Sequence, residues 1–261
     1  MILDDIVEKR KEQLQREKDN IEPQDMKEMA LNSKNKNHGF KEALKKSGLS
    51  VISEVKKASP SKGVIAENFR PVETAIAYED AGAAAISCLT EEHYFKGGSK
   101  YFADIRAKVD IPMLRKDFIF DEYQIYEAKT IGADAVLLIC ALLETSMIRE
   151  FLDIAASVCL DGLVEAHDES EVESALNAGA EIIGVNNRNL KDFSVDLQNS
   201  LRLRSLVPRD KIFVSESGIT CAADIKLLRA AGVNGFLIGE MLMRSNNITL
   251  DLQRLSGEIN D

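Results

Sequence analysis

The chain lacks tryptophan and has few residues suited to metal or redox chemistry, with only 4 Cys and 3 His among 261 residues. No two histidines have the spacing of metal ligands, and the segment 165–168, in which one His lies near two carboxylates, is a weak zinc signal. The cysteines form no C-x-x-C pair. We therefore expect no metal site, and four reduced, mostly buried thiols at Cys88, Cys140, Cys159 and Cys221.

A surplus of positive charge and a long apolar segment are also missing. The net charge is −10, which disfavours an extended face for nucleic-acid phosphates. The longest apolar stretch, Ala135–Leu143, is far shorter than the roughly 20 residues that cross a bilayer. Charged residues begin at Asp4, with no apolar signal segment before them. These features predict a soluble, cytoplasmic protein that binds neither nucleic acid nor membrane.

From residue 49 onward, short apolar runs alternate with segments of helical periodicity. Each run fits a strand buried on both faces, as in a parallel sheet. The predicted strands are Leu49–Val55, Ala84–Leu89, Ile111–Leu114, Ala135–Ile139, Gly162–Val164, Ile182–Val185, Ile212–Val214 and Gly235–Ile238. The predicted intervening helices include Val72–Ala81, Glu122–Ile131, Glu169–Ala178 and Ala222–Ala231.

A glycine follows each of these four helices, which repeats the same helix-ending signal along the chain. Eight strand–helix units without a break in composition predict an α/β fold, a closed (β/α)8 TIM barrel over residues 49–261. A doubly wound open sheet is the alternative, and the absence of G-x-G-x-x-G after the first strand disfavours it. Residues 1–48 are too few to hold a core of their own, so we expect a helical extension packed on the barrel within one domain.

Charged side chains stand where the predicted strands end. Side chains alternate along a strand, so Glu54 and Lys56 should share the inward face with Ile52 and point into the mouth of the barrel. The same parity directs Lys116 and Glu165 inward. Charges that face a partly closed cavity need partners or a ligand, so this pattern predicts a binding or catalytic site at this end.

The predicted sixth, seventh and eighth strands end in further polar residues and glycines. Asn186 and Arg188 follow the sixth strand, and Glu216-Ser217-Gly218 follows the seventh. Gly239-Glu240 follows the eighth strand. Barrel enzymes commonly bind phosphate with the loops after strands seven and eight, so these glycines are candidates for a phosphate site, although turn geometry alone would also explain them.

The motifs at these strand ends resemble those of indole-3-glycerol phosphate synthases. The resemblance runs in order through nearly the whole chain, in the segments 2–6, 51–63, 89–99, 114–118, 184–188, 214–219 and 237–240. It implies a carbon–carbon lyase (a carboxy-lyase) of tryptophan biosynthesis that closes a ring in 1-(2-carboxyphenylamino)-1-deoxyribulose 5-phosphate and releases CO2 and water. It further implies that no cofactor is needed, and that the partner is this small phosphorylated molecule. We expect a monomer, with association with other tryptophan-pathway enzymes left open.

The resemblance assigns five catalytic side chains. Lys116 would be the general acid on the substrate ketone, kept protonated by Glu54 and Glu165. Glu165 would be the base or the acid–base partner in dehydration, and Glu54 would orient Lys116. Lys56 would stabilise developing charge near the substrate anions, and Asn186 would hold the ring-closing geometry.

The remaining residues would bind the substrate. Phe118 would pack against the aromatic ring. Glu240 would contribute only its backbone N–H, because its carboxylate is unsuited to a phosphate. The group around the sugar and phosphate comprises Arg188, Glu216, Ser217, Gly218, Gly239 and Glu240. Two rivals to this function are another phosphosugar barrel isomerase, which would typically use Asp or Cys pairs, and a non-catalytic barrel that binds a phosphorylated ligand.

Overall fold

Eight parallel strands form a closed barrel in the computed structural model, which describes residues 2–46, 48–189 and 192–257. We number the barrel strands β1 to β8: Ser50–Val55, Ala85–Leu89, Met113–Lys116, Ala135–Ile139, Asp161–Ala166, Ile182–Asn186, Ile212–Glu216 and Gly235–Ile238. Each strand pairs with the next along the chain, and β1 also pairs with β8 to close the barrel. The predicted (β/α)8 barrel is confirmed. Residues 1, 47, 190, 191 and 258–261, which the predicted extension and barrel include, lie outside the described residues.

Helices precede the barrel and alternate with its strands. In chain order, α1 to α12 span Ile2–Asn20, Pro23–Leu31, Phe40–Lys45, Pro71–Asp80, Ser99–Arg106, Glu122–Thr130, Thr145–Ser157, Glu169–Ala178, Gln198–Arg204, Ala222–Ala231, Glu240–Met243 and Ile248–Ser256. A small antiparallel hairpin, Ala58–Ser59 with Gly63–Val64, follows β1. None of the helices in the described part of the chain has the length and hydrophobicity to cross a bilayer.

The predicted strands are correct in number and order, and their bounds differ from the structure by at most two residues, with every carboxyl-end difference an extension of the predicted strand. The prediction ends strands at the last apolar residue, whereas β6 continues through Asn186 and β7 through Glu216. In β3 the strand begins two residues later than predicted, after Pro112, and extends to Lys116. Proline has no N–H to give to a sheet. Polar residues remain in these strands because they find partners in the mouth of the barrel.

The barrel interior is filled by alternate side chains of the strands. Ile52, Leu114 and Leu163 belong to one inner cluster, together with Phe40 and Leu44 of α3. Leu44 lies close to Gly235, the first residue of β8, so α3 closes the amino-terminal end of the barrel. The next inward positions after the three strand residues are Glu54, Lys116 and Glu165, and all three lie at the opposite, carboxyl-terminal end.

A buried ionic network fastens α1 to the end of β3. Arg10 is fully buried, and its Nε donates to both carboxylate oxygens of Asp117 at 3.0 and 3.1 Å. Arg115 donates from Nη2 to Asp117 at 3.1 Å and to Glu127 at 2.5 Å. Burial opposes the charge of Asp117, but Arg10 and Arg115 outweigh it and hold the pKa of this carboxyl below its usual range. Since Asp117 directly follows Lys116, α1 is fixed beside the cavity described below.

Breaking this network should destabilise the whole protein. We expect Arg10→Met to lower the free energy of unfolding by about 3–5 kcal/mol, because it removes one partner and leaves buried charges uncompensated. Urea denaturation followed by circular dichroism would measure this loss. Lys9→Met removes an exposed charge from the same helix and should keep a midpoint near that of the wild type. An equal loss in both variants would contradict a stabilising role for the buried network.

Candidate active site

A cavity of about 700 Å3 lies at the carboxyl-terminal end of the barrel. All the site residues predicted from the sequence line it, namely Glu54, Lys56, Lys116, Phe118, Glu165, Asn186, Arg188, Glu216, Ser217, Gly218, Gly239 and Glu240. These residues come from six strands or the loops after them, so closure of the barrel is what brings them together.

Lys116 lies between two carboxylates on the floor of the cavity. Its Nζ is 2.9 Å from Oε2 of Glu165 and 2.5 Å from Oε2 of Glu216. Only 13% of the Lys116 side chain is exposed, and both carboxylates are buried. The ends of β3, β5 and β7 therefore meet in a single hydrogen-bonded cluster.

The absence of a side chain at Gly184 makes room for this cluster. A Cβ atom at Gly184 would lie 2.2 Å from Oε1 of Glu216 and 3.2 Å from a methyl group of Leu163. Leu163 packs in the inner cluster and has little space to move. Glycine at this position of β6 thus allows the Glu216 carboxylate to reach Lys116.

Glu54 and Lys56 form a second ion pair in the same cavity. Nζ of Lys56 donates a short hydrogen bond to Oε1 of Glu54. The sequence predicts that Glu54 orients Lys116, but the structure gives this contact to Glu216, which the sequence analysis assigns to the sugar chain. The reason is geometric, because Glu54 and Lys56 are adjacent inward residues of the same strand end and reach each other directly.

Burial and mutual attraction set the charges of the Lys116 cluster. Burial disfavours the ammonium ion, but Glu165, Glu216 and Glu54 outweigh it and raise the pKa of Lys116 above its ordinary value. Burial also opposes ionisation of Glu165, whereas Lys116 and His167 favour it and lower the pKa of Glu165 to about 2. For Glu216, burial and the nearby Glu165 dominate over Lys116 and raise its pKa to about 7. At neutral pH the cluster combines a protonated amine, an ionised carboxylate and a carboxyl group close to its titration point.

Asn186 links the cluster to the loop after β6. Its Nδ2 donates to Oε1 of Glu165 at 3.4 Å, and its Oδ1 accepts from the backbone N–H of Arg188 at 3.1 Å. The guanidinium group of Arg188 donates to the backbone carbonyl of Phe193 at 3.2 Å. The structure thus places both predicted residues in the cavity wall, with Asn186 next to the carboxylate that contacts Lys116.

The loops after β7 and β8 form one end of the cavity. Gly218 has a φ of +85°, and a Cβ there would lie 2.5 Å from Cγ1 of Val195, so both backbone conformation and space favour glycine. The carboxylate of Glu240 contacts Nε of Arg244 at 3.3 Å and Nζ of Lys62 at 3.7 Å. These two cations line the same end of the cavity. Neither residue is among the site residues predicted from the sequence. Arg244 lies outside the segments named in the sequence analysis, and the path of the loop that contains Lys62 cannot be predicted from its sequence.

The other wall of the cavity is apolar. The rings of Phe95 and Phe118 lie 5.9 Å apart between centroids, and Ile2, Leu3 and Ile6 of α1 line the cavity as well. The sequence predicts a helical extension over residues 1–48 but gives it no place in the site. The aromatic ring of a ligand could pack against this apolar wall, and an anionic group elsewhere in the same ligand could then reach the cations at the far end of the cavity.

The cysteines lie apart from this chemistry, and their predicted burial is partly wrong. All four are free thiols, but only Cys88 is fully buried, and Cys159 is exposed. Cys159 has a φ of +58°, which places it in the turn between α7 and β5 rather than in the core. In the described part of the chain, no group of three or more His, Cys, Asp or Glu side chains is arranged to hold a metal ion.

Comparison with known proteins identifies relatives along the whole chain. The sequence profile of the family described as indole-3-glycerol phosphate synthase matches residues 3–255. A protein of that name from Endomicrobium trichonymphae is 55% identical over 256 residues, covering 98% of this chain and 99% of the relative. Another from Aliarcobacter butzleri is 46% identical over 263 residues and covers all of both chains.

Solved structures with the same fold are more distant in sequence. A 3-hexulose-6-phosphate synthase superposes with a TM-score of 0.62 at 15% identity, covering 81% of this chain and 100% of the other. A thiamine phosphate pyrophosphorylase from Pyrococcus furiosus gives a TM-score of 0.61 at 16% identity, covering 82% and 98%. At this identity the similarity establishes the barrel fold alone.

The raised pKa of Glu216 predicts a pH-dependent cost to folding. Between about pH 4.5, where an unfolded Glu ionises, and pH 7, the folded site retains the proton, so the stability contributed by Glu216 falls as the pH rises. Glu216→Gln lacks this titration, so its free energy of unfolding relative to the wild type should increase by up to about 3 kcal/mol over this interval and then level off.

Urea denaturation of both proteins at several pH values between 5 and 8 would measure this difference. Phe118→Leu, which changes the same cavity without removing a titrating group, should differ from the wild type by a constant amount across the series. A constant difference for Glu216→Gln as well would show that burial does not shift the titration of Glu216.

Proposed function

The chain belongs to the indole-3-glycerol phosphate synthase family, and we propose that its strand-end cavity carries out that family's reaction by acid–base catalysis. The reaction converts 1-(2-carboxyphenylamino)-1-deoxyribulose 5-phosphate into indole-3-glycerol phosphate in tryptophan biosynthesis. It is a carbon–carbon lyase reaction, in which one C–C bond forms and the carboxylate leaves as CO2. The observation that carries the proposal is the buried ammonium of Lys116 between Glu165 and Glu216.

Ring closure requires a proton donor at the substrate ketone. The ring carbon that bears the carboxylate attacks the ketone carbon, and the ketone oxygen gains negative charge as the C–C bond forms. Lys116 stays protonated at neutral pH, and it would donate its proton to this oxygen, which becomes more basic than an amine as it approaches an alkoxide. Loss of CO2 then returns an electron pair to the ring.

Dehydration requires both a proton donor and a proton acceptor. The hydroxyl group formed from the ketone leaves as water, and one proton leaves the new ring as it becomes aromatic. Glu165 is ionised and lies 2.9 Å from Lys116, so it would accept that proton. Glu216 would return a proton to Lys116 at its other side, because its pKa of about 7 lets it hold either state, and Lys116 would give this proton to the leaving hydroxyl group. Asn186 would hold Glu165 in position through their 3.4 Å contact.

The two ends of the cavity suit the two ends of this substrate. The aromatic ring would pack near Phe118 and Phe95, and Lys56 would face the carboxylate before it leaves. Glu54 would keep Lys56 in place through their hydrogen bond. The phosphate would lie at the end formed by the loops after β6, β7 and β8, in a group comprising Arg188, Ser217, Gly218, Gly239 and the backbone of Glu240.

Family membership and the contacts between the helical extension and the barrel support proposals about the wider setting of the enzyme. The substrate class is a small phosphorylated molecule. We propose that the protein acts in the cytoplasm, as a monomer, without a cofactor. We also propose that residues 1–48 and 49–261 fold as one domain, since Arg10 and Asp117 connect α1 with β3 and Leu44 of α3 packs against the barrel.

Replacement of Lys116 tests the proposed reaction. Lys116→Ala should retain the fold and lower kcat by at least about 100-fold, because it removes the proton donor at the ketone. Indole fluorescence of purified protein with 1-(2-carboxyphenylamino)-1-deoxyribulose 5-phosphate, without added metal or cofactor, measures turnover.

Lys211→Ala is the matched control for this experiment. Lys211 lies just before β7, at the opposite end of the barrel, where it pairs with Glu181. Its loss should leave kcat near the wild-type value. Near-normal turnover by Lys116→Ala would remove Lys116 from the mechanism, and absence of turnover by the wild-type protein would refute the function itself.

A further inference from the structure

His167 lies at the end of β5, on the side of Glu165 away from Lys116. Its ring is partly buried, with 16% of the side chain exposed. Nδ1 lies 3.0 Å from Oε2 of Glu171 on α8, and Nε2 lies 3.5 Å from Oε1 of Glu165. The same Glu171 oxygen accepts the backbone N–H of His167 at 2.7 Å, so Glu171 fixes both the ring and its backbone.

The other ring nitrogen of His167, Nε2, is buried without a hydrogen bond among the described residues. The Glu165 carboxylate nevertheless faces it. An ionised carboxylate can only accept hydrogen bonds, so Nδ1 must carry the hydrogen that it donates to Glu171. A neutral ring would then turn the lone pair of Nε2 toward the negative oxygen of Glu165. A protonated ring would present an N–H group instead and remove this repulsion.

We propose that His167 is a positioning residue that, as an imidazolium ion, keeps Glu165 ionised and aimed at the substrate. This rests on the proposed function, because it gives Glu165 the role of the base. Lys116 holds Oε2 of Glu165, and His167 faces Oε1, so the two cations flank the carboxylate. Glu165 therefore remains ionised even while Lys116 is giving its proton to the substrate.

The charged groups around His167 support this state of the ring. Glu165 on its own strand, Glu171 on α8 and Glu216 on β7 all favour the imidazolium ion, and together they outweigh burial and raise the pKa of His167 above its ordinary value. Asp168, which caps α8, adds a further negative charge nearby. On the β4 side the Cys140 thiol lies against the backbone of Glu171, and its pKa of about 12 keeps it neutral. Lys116 is the opposing cation, and it lies beyond Glu165.

The pH dependence of activity distinguishes a charge effect from a packing effect. We would measure kcat/KM for the wild type, His167→Gln and His167→Leu from the lowest pH at which each stays folded up to pH 9. Both substitutions remove the positive charge, so the pKa of Glu165 should rise by about one unit or more above its wild-type value of about 2. The acid limb of kcat/KM should therefore lie at higher pH in the variants, within the measured range, while the wild-type profile stays level to lower pH. At alkaline pH, where Glu165 is ionised in all three proteins, the ratio of variant to wild type should reach a constant value.

His167→Gln decides between the two effects, because its amide keeps a neutral N–H group near Glu165. If the kcat/KM of His167→Gln, divided by that of the wild type, is the same at every pH, the proposal is overturned. A wild-type acid limb in His167→Gln, with a shifted limb only in His167→Leu, would overturn it too, since a neutral donor would then suffice.

His38→Gln provides the matched control. His38 also pairs through Nδ1 with a buried carboxylate, that of Asp134, but His38 precedes the barrel, Asp134 lies directly before β4, and neither residue lines the cavity. Its pH profile should be that of the wild type, and a shift equal to that of His167→Gln would count against a specific role for His167. Wild-type turnover is measured in the same series, so a failure of the proposed function would be visible separately.

Discussion

The ammonium group of Lys116 is held between the carboxylates of Glu165 and Glu216, away from bulk water. A buried cation without partners would be very unfavourable, and so would two buried carboxylates side by side. Each group is therefore stabilised by the others, and three strands must end at matching heights to bring them together. The surrounding structure makes this cluster possible. Gly184 leaves space for the Glu216 carboxylate, and the apolar layer beneath the cluster fills the barrel interior.

The alternation of side chains along strands explains why so much of this cavity is predictable. Ile52, Leu114 and Leu163 are clearly interior residues by sequence, and the polar residues two positions later must share their direction. The partners within the cavity are less predictable. Whether Lys116 meets Glu54 or Glu216 depends on strand tilt and on side-chain reach across the barrel, and neither is encoded in the spacing along one strand.

Residues that act through long-range pairing also escape the sequence analysis. Arg10 has charged neighbours on both sides in the sequence, as is typical of an exposed helix, yet it is fully buried against Asp117, 107 residues away. For Arg10 the decisive neighbour comes from another element, so a local pattern contains no signal for it. For His167 both carboxylate partners are close in sequence, and what the sequence does not give is the direction of its ring, which has Glu171 at one nitrogen and Glu165 facing the other. The strand ends are misjudged for a related reason, because burial with a partner permits charged residues inside a strand.

The attachment of α1 has a practical consequence for work on this protein. Ile2 and Leu3 form part of the cavity wall, and Arg10 fixes their helix to the residue that follows Lys116. An affinity tag or fusion partner joined ahead of α1 would emerge beside the opening through which ligands enter. Kinetic constants measured with such a tag in place would therefore include its interference, which makes cleavage of the tag advisable before any quantitative comparison of variants.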